Sequence, residues 1–173
     1  RLKWILIAGP SSSGKTTFAK RLAVQLRVNG LQPVTISTDN YFVDRAKTPR
    51  DDSGEFDFEN IETIDLALFN EHLEKPDRGE EVEMPRFNFE AGKREFRGEK
   101  LSIADDQLVL VEGIHSLNPR LTRAIPIEHK YKVYISALTQ LNLDSNNRIS
   151  TTDNRLVRRL VRDHMFRGNS ALT

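Results

Sequence analysis

Gly9-Pro10-Ser11-Ser12-Ser13-Gly14-Lys15-Thr16, with Thr17 directly behind it, is a complete G-x-x-x-x-G-K-(S/T) phosphate-binding loop. In front of it Trp4-Ile5-Leu6-Ile7-Ala8 is an apolar run of strand length, and behind it Phe18, Leu22 and Leu26 recur at helical spacing. The order is strand, loop, helix. The glycines let successive backbone amides turn inward around a β-phosphate. Lys15 brings a point charge toward the β and γ oxygens, and Thr16 brings a hydroxyl for Mg²⁺. The helix beginning near Gly14 aims its unpaired N–H groups and positive dipole end at the same anion. Gly9, Ser11, Ser12, Ser13, Gly14, Lys15, Thr16 and Thr17 are therefore the candidate phosphate-binding residues, with Thr16 also a candidate metal ligand.

The chain has 173 residues, enough for one α/β core. Its 26 basic and 25 acidic residues leave a net charge of +1, so no global field draws in nucleic acid or an anionic membrane. Any basic function must be local. There is no cysteine, which excludes a disulfide framework and a thiolate metal site and suits a reducing compartment. No apolar stretch approaches the roughly 18 residues of a membrane helix, and a strand that runs straight into a phosphate loop is not a signal peptide. A soluble, cytoplasmic protein is expected. The first residue is Arg1 rather than Met, so residues 1–173 are expected to form a single domain cut from a longer chain.

Along the chain, the first helix is predicted over Lys15–Val28, with Asn29-Gly30 as its stop. Pro33–Thr38 reads as a second strand, parallel to the first, with Asp39-Asn40-Tyr41-Phe42 at its carboxyl end. Ligands of open α/β sheets bind at that end, which places Asp39 toward a γ-phosphate, although an aspartate there also serves as a turn former or cap. The polar stretch Val43–Glu59 exceeds ordinary loop length and ends in Phe56 and Phe58, so it is expected to dock. Asn60 is predicted to cap a packing helix from Ile61 to about Leu73. Glu81–Phe89 and Arg94–Ile103 read as a β-hairpin over the sheet. Its Phe87 and Phe89 form either a small satellite core or a platform for a flat ligand.

Leu108-Val109-Leu110-Val111 is the most apolar run and marks a strand buried on both faces. It ends in Glu112, placed as a second anchor for Mg²⁺. Asn118-Pro119 is predicted to open a short helix. Tyr131–Ser136 is the fourth strand of a parallel sheet. The last predicted helix, Thr152 to about Phe166, has Leu156, Val157, Leu160 and Val161 on one side. On the other, Arg155, Arg158, Arg159 and Arg162 stand at i, i+3, i+4 and i+7. A solvated face accounts for many such runs, but beside a polyphosphate this density suits bidentate contacts and neutralisation of transferred charge. No Asn-Lys-x-Asp element, Leu-Ser-Gly-Gly-Gln signature or protein-kinase signature occurs, which argues against switch GTPases, transporter ATPases and protein kinases.

From Lys3 to Gly168 the chain resembles the uridine kinase and phosphoribulokinase family, most closely the uridine-kinase-like nucleoside kinase domain that follows a threonyl-tRNA-synthetase-like N-terminal region. The resemblance rests on residues 9–17, Asp39-Asn40-Tyr41-Phe42, Phe56-Asp57-Phe58-Glu59-Asn60, Glu112-Gly113-Ile114, and Arg158-Arg159-Leu160-Val161-Arg162-Asp163 with Arg167-Gly168. It implies an α/β P-loop NTPase fold of the nucleoside/nucleotide kinase type: a parallel sheet with helices on both faces, a covering β-hairpin and an arginine-rich lid helix. It implies transfer of the γ-phosphoryl of ATP, with Mg²⁺, to the 5′-hydroxyl of a uridine- or cytidine-like ribonucleoside. Asp39 matches the family's general base, Glu112 its Mg²⁺-side carboxylate, and Arg159, Arg162 and Arg167 its lid arginines, which with Lys15 act on the transferred phosphoryl. Phe42, Phe58, Glu59, Phe87, Phe89 and Ile114, together with Asp39 and Arg159, match positions that line the nucleoside pocket.

The departures fall in that pocket. Glu59 stands where uridine kinases carry an aspartate, and Phe87 and Gly92 where they carry a tyrosine and a histidine. Another small hydroxyl acceptor or an ATPase on the same fold stays open, as does a non-catalytic nucleotide sensor. The resemblance also implies a fifth parallel strand beyond Thr173, a further domain in the full-length chain, and room for a homo-oligomer.

Overall fold

The computed structural model describes residues 2–137, 142 and 144–167, the side chains of 166 and 167 excepted. Strand β1 (Trp4–Ala8) leads through the phosphate loop into α1 (Lys15–Val28), which returns to β2 (Pro33–Ser37). A 3₁₀ turn, Thr38–Tyr41, follows β2 directly. Then come α2 (Leu66–Asp77), the antiparallel hairpin β3 (Val82–Asn88) and β4 (Lys93–Leu101), β5 (Leu108–Glu112), β6 (Lys130–Tyr134) and α3 (Thr151–Arg167). The main sheet has the order β2-β5-β1-β6, and all its pairings are parallel.

Alternation along β1 divides the core. Trp4 and Leu6 face one side with Ile36, Val109 and Val111, where they meet Tyr41, Phe69 and Leu73. Ile5 and Ile7 face the other with Leu110, against Ala19 and Ala23 of α1. Those alanines are four residues apart on one helix face, so the backbone of α1 lies close to the sheet. Phe69 and Leu73 are fully buried, worth about 1.5–3 kcal/mol each by transfer. Buried on both faces at β1 and β5, the sheet is a stiff base whose carboxyl edge carries the phosphate loop after β1, Asp39 after β2 and Glu112 at the tip of β5. Register sets Glu112 between Ser37 on one neighbour and Ile7 on the other.

Three expectations change. Asn60 caps only a 3₁₀ turn, Ile61–Thr63, by accepting from the Glu62 N–H. Ile64 then extends to bridge Phe42, which interrupts any helix there, and α2 begins after Asp65, whose carboxylate accepts from the Leu68 N–H at 3.0 Å. The helix also runs on through Pro76 to Asp77, four residues past the expected end near Leu73. Asn118-Pro119 opens no helix. The Asn118 side chain accepts from the Arg120 N–H at 3.0 Å, and consecutive turns pin down Leu121 and Ile125, both buried. The polar stretch after Phe42 does dock: Arg45 N–H bonds the Gly92 carbonyl, the Arg94 N–H bonds Asp44, and Arg50 lies 4.2 Å over the Phe56 ring. Among the described residues no helix is long and apolar enough to cross a membrane.

Candidate active site

Two cavities lie side by side over the carboxyl edge of the sheet. The first, about 310 Å³, is lined by Ser11, Ser12, Gly14, Lys15, Thr16 and Thr17 of the loop, by Asp39, Glu112 and Ile114, and by Arg158 and Arg162 of α3. The second, about 390 Å³, is lined by Phe42, Val43, Arg45, Thr48, Phe58, Thr63, Phe87, Phe89, Arg159 and Asp163. They share two walls. The turn after β2 sends Asp39 into the first cavity and Phe42 into the second, and α3 contributes arginines to both.

The loop has the geometry of an anion cradle. Ser12 is the one non-glycine among the described residues with a left-handed backbone (φ 59°), and Gly14 follows at φ 99°. Such alternation turns successive N–H groups inward. Gly9 allows a close approach, because a Cβ there would run into the Ile135 carbonyl. The buried Ser12 and Ser13 hydroxyls have no hydrogen-bond partner, which costs about 1–3 kcal/mol per group in water-free surroundings. A bound phosphate would satisfy them, so the residues present fit a nucleoside triphosphate.

Charges converge beside it. Lys15 donates to the Pro10 carbonyl at 3.2 Å, and burial lowers its pKa against the opposing pull of Glu112 and Asp39. Glu112 is 5% exposed and accepts from Ser37 Oγ at 2.9 Å and Thr16 Oγ1 at 3.2 Å. Its pKa is raised, first by burial and then by the charge of Asp39. A buried carboxylate touching the loop's hydroxyl is a fitting pair for Mg²⁺, which takes one or two carboxylates and completes its shell with phosphate oxygens and water. Among the described residues no cluster of three or more His, Cys, Asp or Glu side chains could hold a cation without that help.

The α3 arginines divide. Arg162 donates through Nη1 to Ser11 Oγ at 2.9 Å, and Arg155 through Nε to the Ser11 carbonyl at 3.3 Å. The Arg158 guanidinium reaches over Gly14, 3.5 Å from where a Cβ would stand. Arg159 instead faces the aromatic cavity and meets Asp163 at 3.6 Å, while Arg162 holds the same carboxylate at 2.7 Å. Leu156, Val157, Leu160 and Val161 on the opposite side are exposed. Helical spacing groups Arg155 and Arg158 with Arg159 and Arg162 as phosphate candidates, whereas the resemblance carries over only Arg159, Arg162 and Arg167. The structure brings Arg155, Arg158 and Arg162 to the loop and turns Arg159 to the other cavity. The Arg167 side chain lies outside the described residues.

In the second cavity Phe42 stands edge-on to Phe87 and Phe89, with centroids 5.6 and 6.4 Å away, and Phe87 and Phe89 are 5.2 Å apart. The rings are both a packed cluster and a cavity wall. Asn40 Oδ1 accepts from the Phe87 N–H at 3.4 Å and ties this wall to the turn that carries Asp39. Glu59 is not brought in. Its N–H is held by Asp57 Oδ1 at 3.1 Å in a tight turn, its side chain is exposed, and the carboxylate that lines the cavity is Asp163.

Comparisons with known proteins identify the family. A profile of the Phosphoribulokinase / Uridine kinase family matches residues 4–172. The chain is 30% identical over 172 residues to a uridine kinase of Borrelia duttonii, covering 98% of this chain and 71% of that one. It is 29% identical over 165 residues to a uridine kinase of Chloroflexus aurantiacus, covering 95% and 69%. Among solved structures, one described as a possible uridine kinase from Bacillus stearothermophilus superposes with a TM-score of 0.61 at 24% identity, covering 77% of this chain and 70% of that one. A phosphate loop, an arginine helix and a hairpin-covered aromatic cavity on one parallel sheet, together with a match that spans nearly all its residues, make this chain a member of the phosphoribulokinase/uridine kinase family of P-loop kinases.

Proposed function

We propose that the chain transfers the γ-phosphoryl of ATP to the 5′-hydroxyl of a ribonucleoside. One observation carries the reading: Asp39 lines the phosphate cavity while Phe42, three residues along the same turn, lines the aromatic one. A hydroxyl presented from the aromatic cavity meets a carboxylate at the boundary where phosphate begins. Flat rings suit a base, and the relatives named uridine kinases support a nucleoside.

In this reading the loop amides, Lys15 and the Ser12 and Ser13 hydroxyls hold the triphosphate. Thr16 and Glu112 would hold Mg²⁺, which would supply neutralising charge at the phosphate oxygens. Asp39 accepts the proton as the hydroxyl oxygen bonds to phosphorus and the β–γ bridging oxygen leaves with its electron pair. Arg158 and Arg162 stabilise charge on the transferred group, and Arg159 orients the acceptor beside it. Phe42, Phe58, Phe87 and Phe89 enclose the base, whereas Ile114, expected in the nucleoside pocket, lines the phosphate cavity. Arg167 is assigned to the lid on resemblance alone.

Steady-state turnover of MgATP with ribonucleosides, deoxyribonucleosides, sugars, sugar phosphates and hydroxy acids is the test. Acceptor-dependent ADP release with ribonucleosides, and phosphate recovered on the 5′-oxygen, are expected. Turnover only with another class moves the acceptor assignment, and MgATP binding with no acceptor-dependent turnover leaves a nucleotide sensor.

A further inference from the structure

Arg45 lines the aromatic cavity, although no motif points to it. Three contacts fix its place. Its N–H donates to the Gly92 carbonyl at 2.8 Å, its own carbonyl accepts from the Thr48 N–H at 3.1 Å, and one Nη donates to the Phe89 carbonyl at 2.6 Å. Between these anchors the side chain crosses Gly92 with little clearance. A Cβ at position 92 would lie 3.0 Å from Arg45 Cβ and Nε and 3.1 Å from Cζ, and Gly92 has a left-handed backbone at φ 64°. A side chain at 92 would crowd Arg45, which would have to give by a few tenths of an ångström, and would strain the left-handed turn. The guanidinium is therefore held at the hairpin turn, at the end of a stretch whose neighbouring Phe89 is itself a cavity wall.

The two arginines of this cavity differ in charge balance. Arg159 is paired with Asp163 at 3.6 Å, whereas among the described residues no carboxylate forms an ion pair with Arg45. A guanidinium carries five N–H donors in a rigid plane and accepts nothing. One donor is committed to the Phe89 carbonyl, and the others are open to a ligand lying between the rings. Aromatic walls are indifferent to base identity, because every base has a π-face. A donor-only fork discriminates. It matches a base edge rich in acceptors, such as a keto oxygen or the O6 and N7 of guanine, and it opposes the exocyclic amino groups of cytosine and adenine with donor against donor.

We infer that Arg45, held across Gly92, is a specificity-determining residue that reads the base edge of the acceptor and favours a keto over an amino group at that edge. This rests on the nucleoside reading of the cavity. Because the contact forms when the acceptor binds and persists through transfer, its loss raises the acceptor KM more than it lowers kcat.

The test is kcat/KM for uridine and for cytidine at saturating MgATP, in the wild type, Arg45→Ala, Arg45→Lys and Gly92→Val, with calorimetric MgATP affinity as the check that each variant is folded. The wild type is expected to prefer uridine by about tenfold or more, the worth of a hydrogen bond to a charged group. Arg45→Ala should bring the ratio to near one, with the loss in the uridine KM. Gly92→Val, which crowds the arginine without removing it, should lower the ratio, and Arg45→Lys should fall between the wild type and Arg45→Ala. A wild-type preference that survives both Arg45→Ala and Gly92→Val overturns the assignment of Arg45 while the nucleoside reading stands. A wild type that phosphorylates an anionic acceptor and no nucleoside removes that reading and this inference with it.

Discussion

Arg162→Ala is the sharpest probe of the proposed transfer chemistry. The side chain is 28% exposed, its Nη1 lies 2.9 Å from Ser11 Oγ at the lip of the loop, and it lines the cavity that would hold the γ-phosphoryl. A unit charge about 4 Å from charge developing on that group, in surroundings of effective dielectric about 20, contributes about 4 kcal/mol. That corresponds to about 10³ in rate. Partial exposure screens the interaction, so a fall in kcat of about 10²–10³ is expected. The charge also acts on ground-state ATP, but less, so the ATP KM should rise by less than kcat falls. Asp163 keeps Arg159 at 3.6 Å, so the truncation does not strand it. Single-turnover transfer from radiolabelled ATP, with MgATP affinity measured calorimetrically on the same preparation, separates the two effects. A turnover within threefold of wild type would refute the reasoning and return the arginine side of α3 to solvent.

Asp39→Asn keeps the shape and removes the proposed base, and should cost about 10²–10⁴ in kcat with MgATP affinity intact, as read by the same pair of assays. Lys15→Ala should weaken MgATP binding in calorimetric titration by about tenfold or more, since a charge-assisted phosphate contact is lost. Glu112→Gln should slow turnover through the lost Mg²⁺ ligand and yet raise the melting temperature of the ligand-free protein. Burial lifts the Glu112 pKa, so at neutral pH the folded state bears an ionised group that the unfolded state solvates better, and the amide removes that penalty. His72 predicts a slope with pH: it is buried against Tyr41 Oη at 3.2 Å, and burial lowers its pKa below 6.5. The unfolded state therefore takes up the proton first, stability is fully present above pH 6.5 and declines below it, and His72→Asn should flatten chemical-denaturation midpoints across that range.

The parts legible in the sequence are those set by local covalent and hydrophobic pattern. Residues 4–17 specify strand, loop and helix unaided, and the run 108–111 marks the central strand whose tip carries Glu112. Asp39 is legible at the right sheet edge because β2 ends at Ser37, two residues before it. What failed depends on contacts across the chain. Ile64 leaves the helix because it pairs with Phe42, and nothing within residues 60–73 announces that partner. Asn118 turns its side chain to the Arg120 N–H instead of capping, since Leu121 and Ile125 are drawn into the core. Helical spacing marks Arg155, Arg158, Arg159 and Arg162 as one face, but periodicity does not say which cavity each guanidinium meets, so the separation of Arg159 from the other three is visible only in the fold. Arg45 and Asp163 acquire meaning only when the hairpin and α3 close over the same space.

The sharing of α3 between two cavities has a consequence for how acceptors can change over evolutionary time. Arg155 and Arg162 grip Ser11 while Arg159 and Asp163 border the aromatic rings, so a substitution on this helix alters transfer chemistry and acceptor recognition together. The opposite wall meets the phosphate side through the Phe87 backbone N–H on Asn40, a contact that does not depend on its side chains. Arg45, Thr48, Phe87 and Phe89 line the acceptor cavity, and none of them lines the phosphate cavity. Drift in this wall can retune the acceptor while the phosphoryl machinery stays under undisturbed selection. Divergence in substrate should accordingly be recorded in residues 43–48 and in the hairpin, with α3 preserving the ancestral pattern.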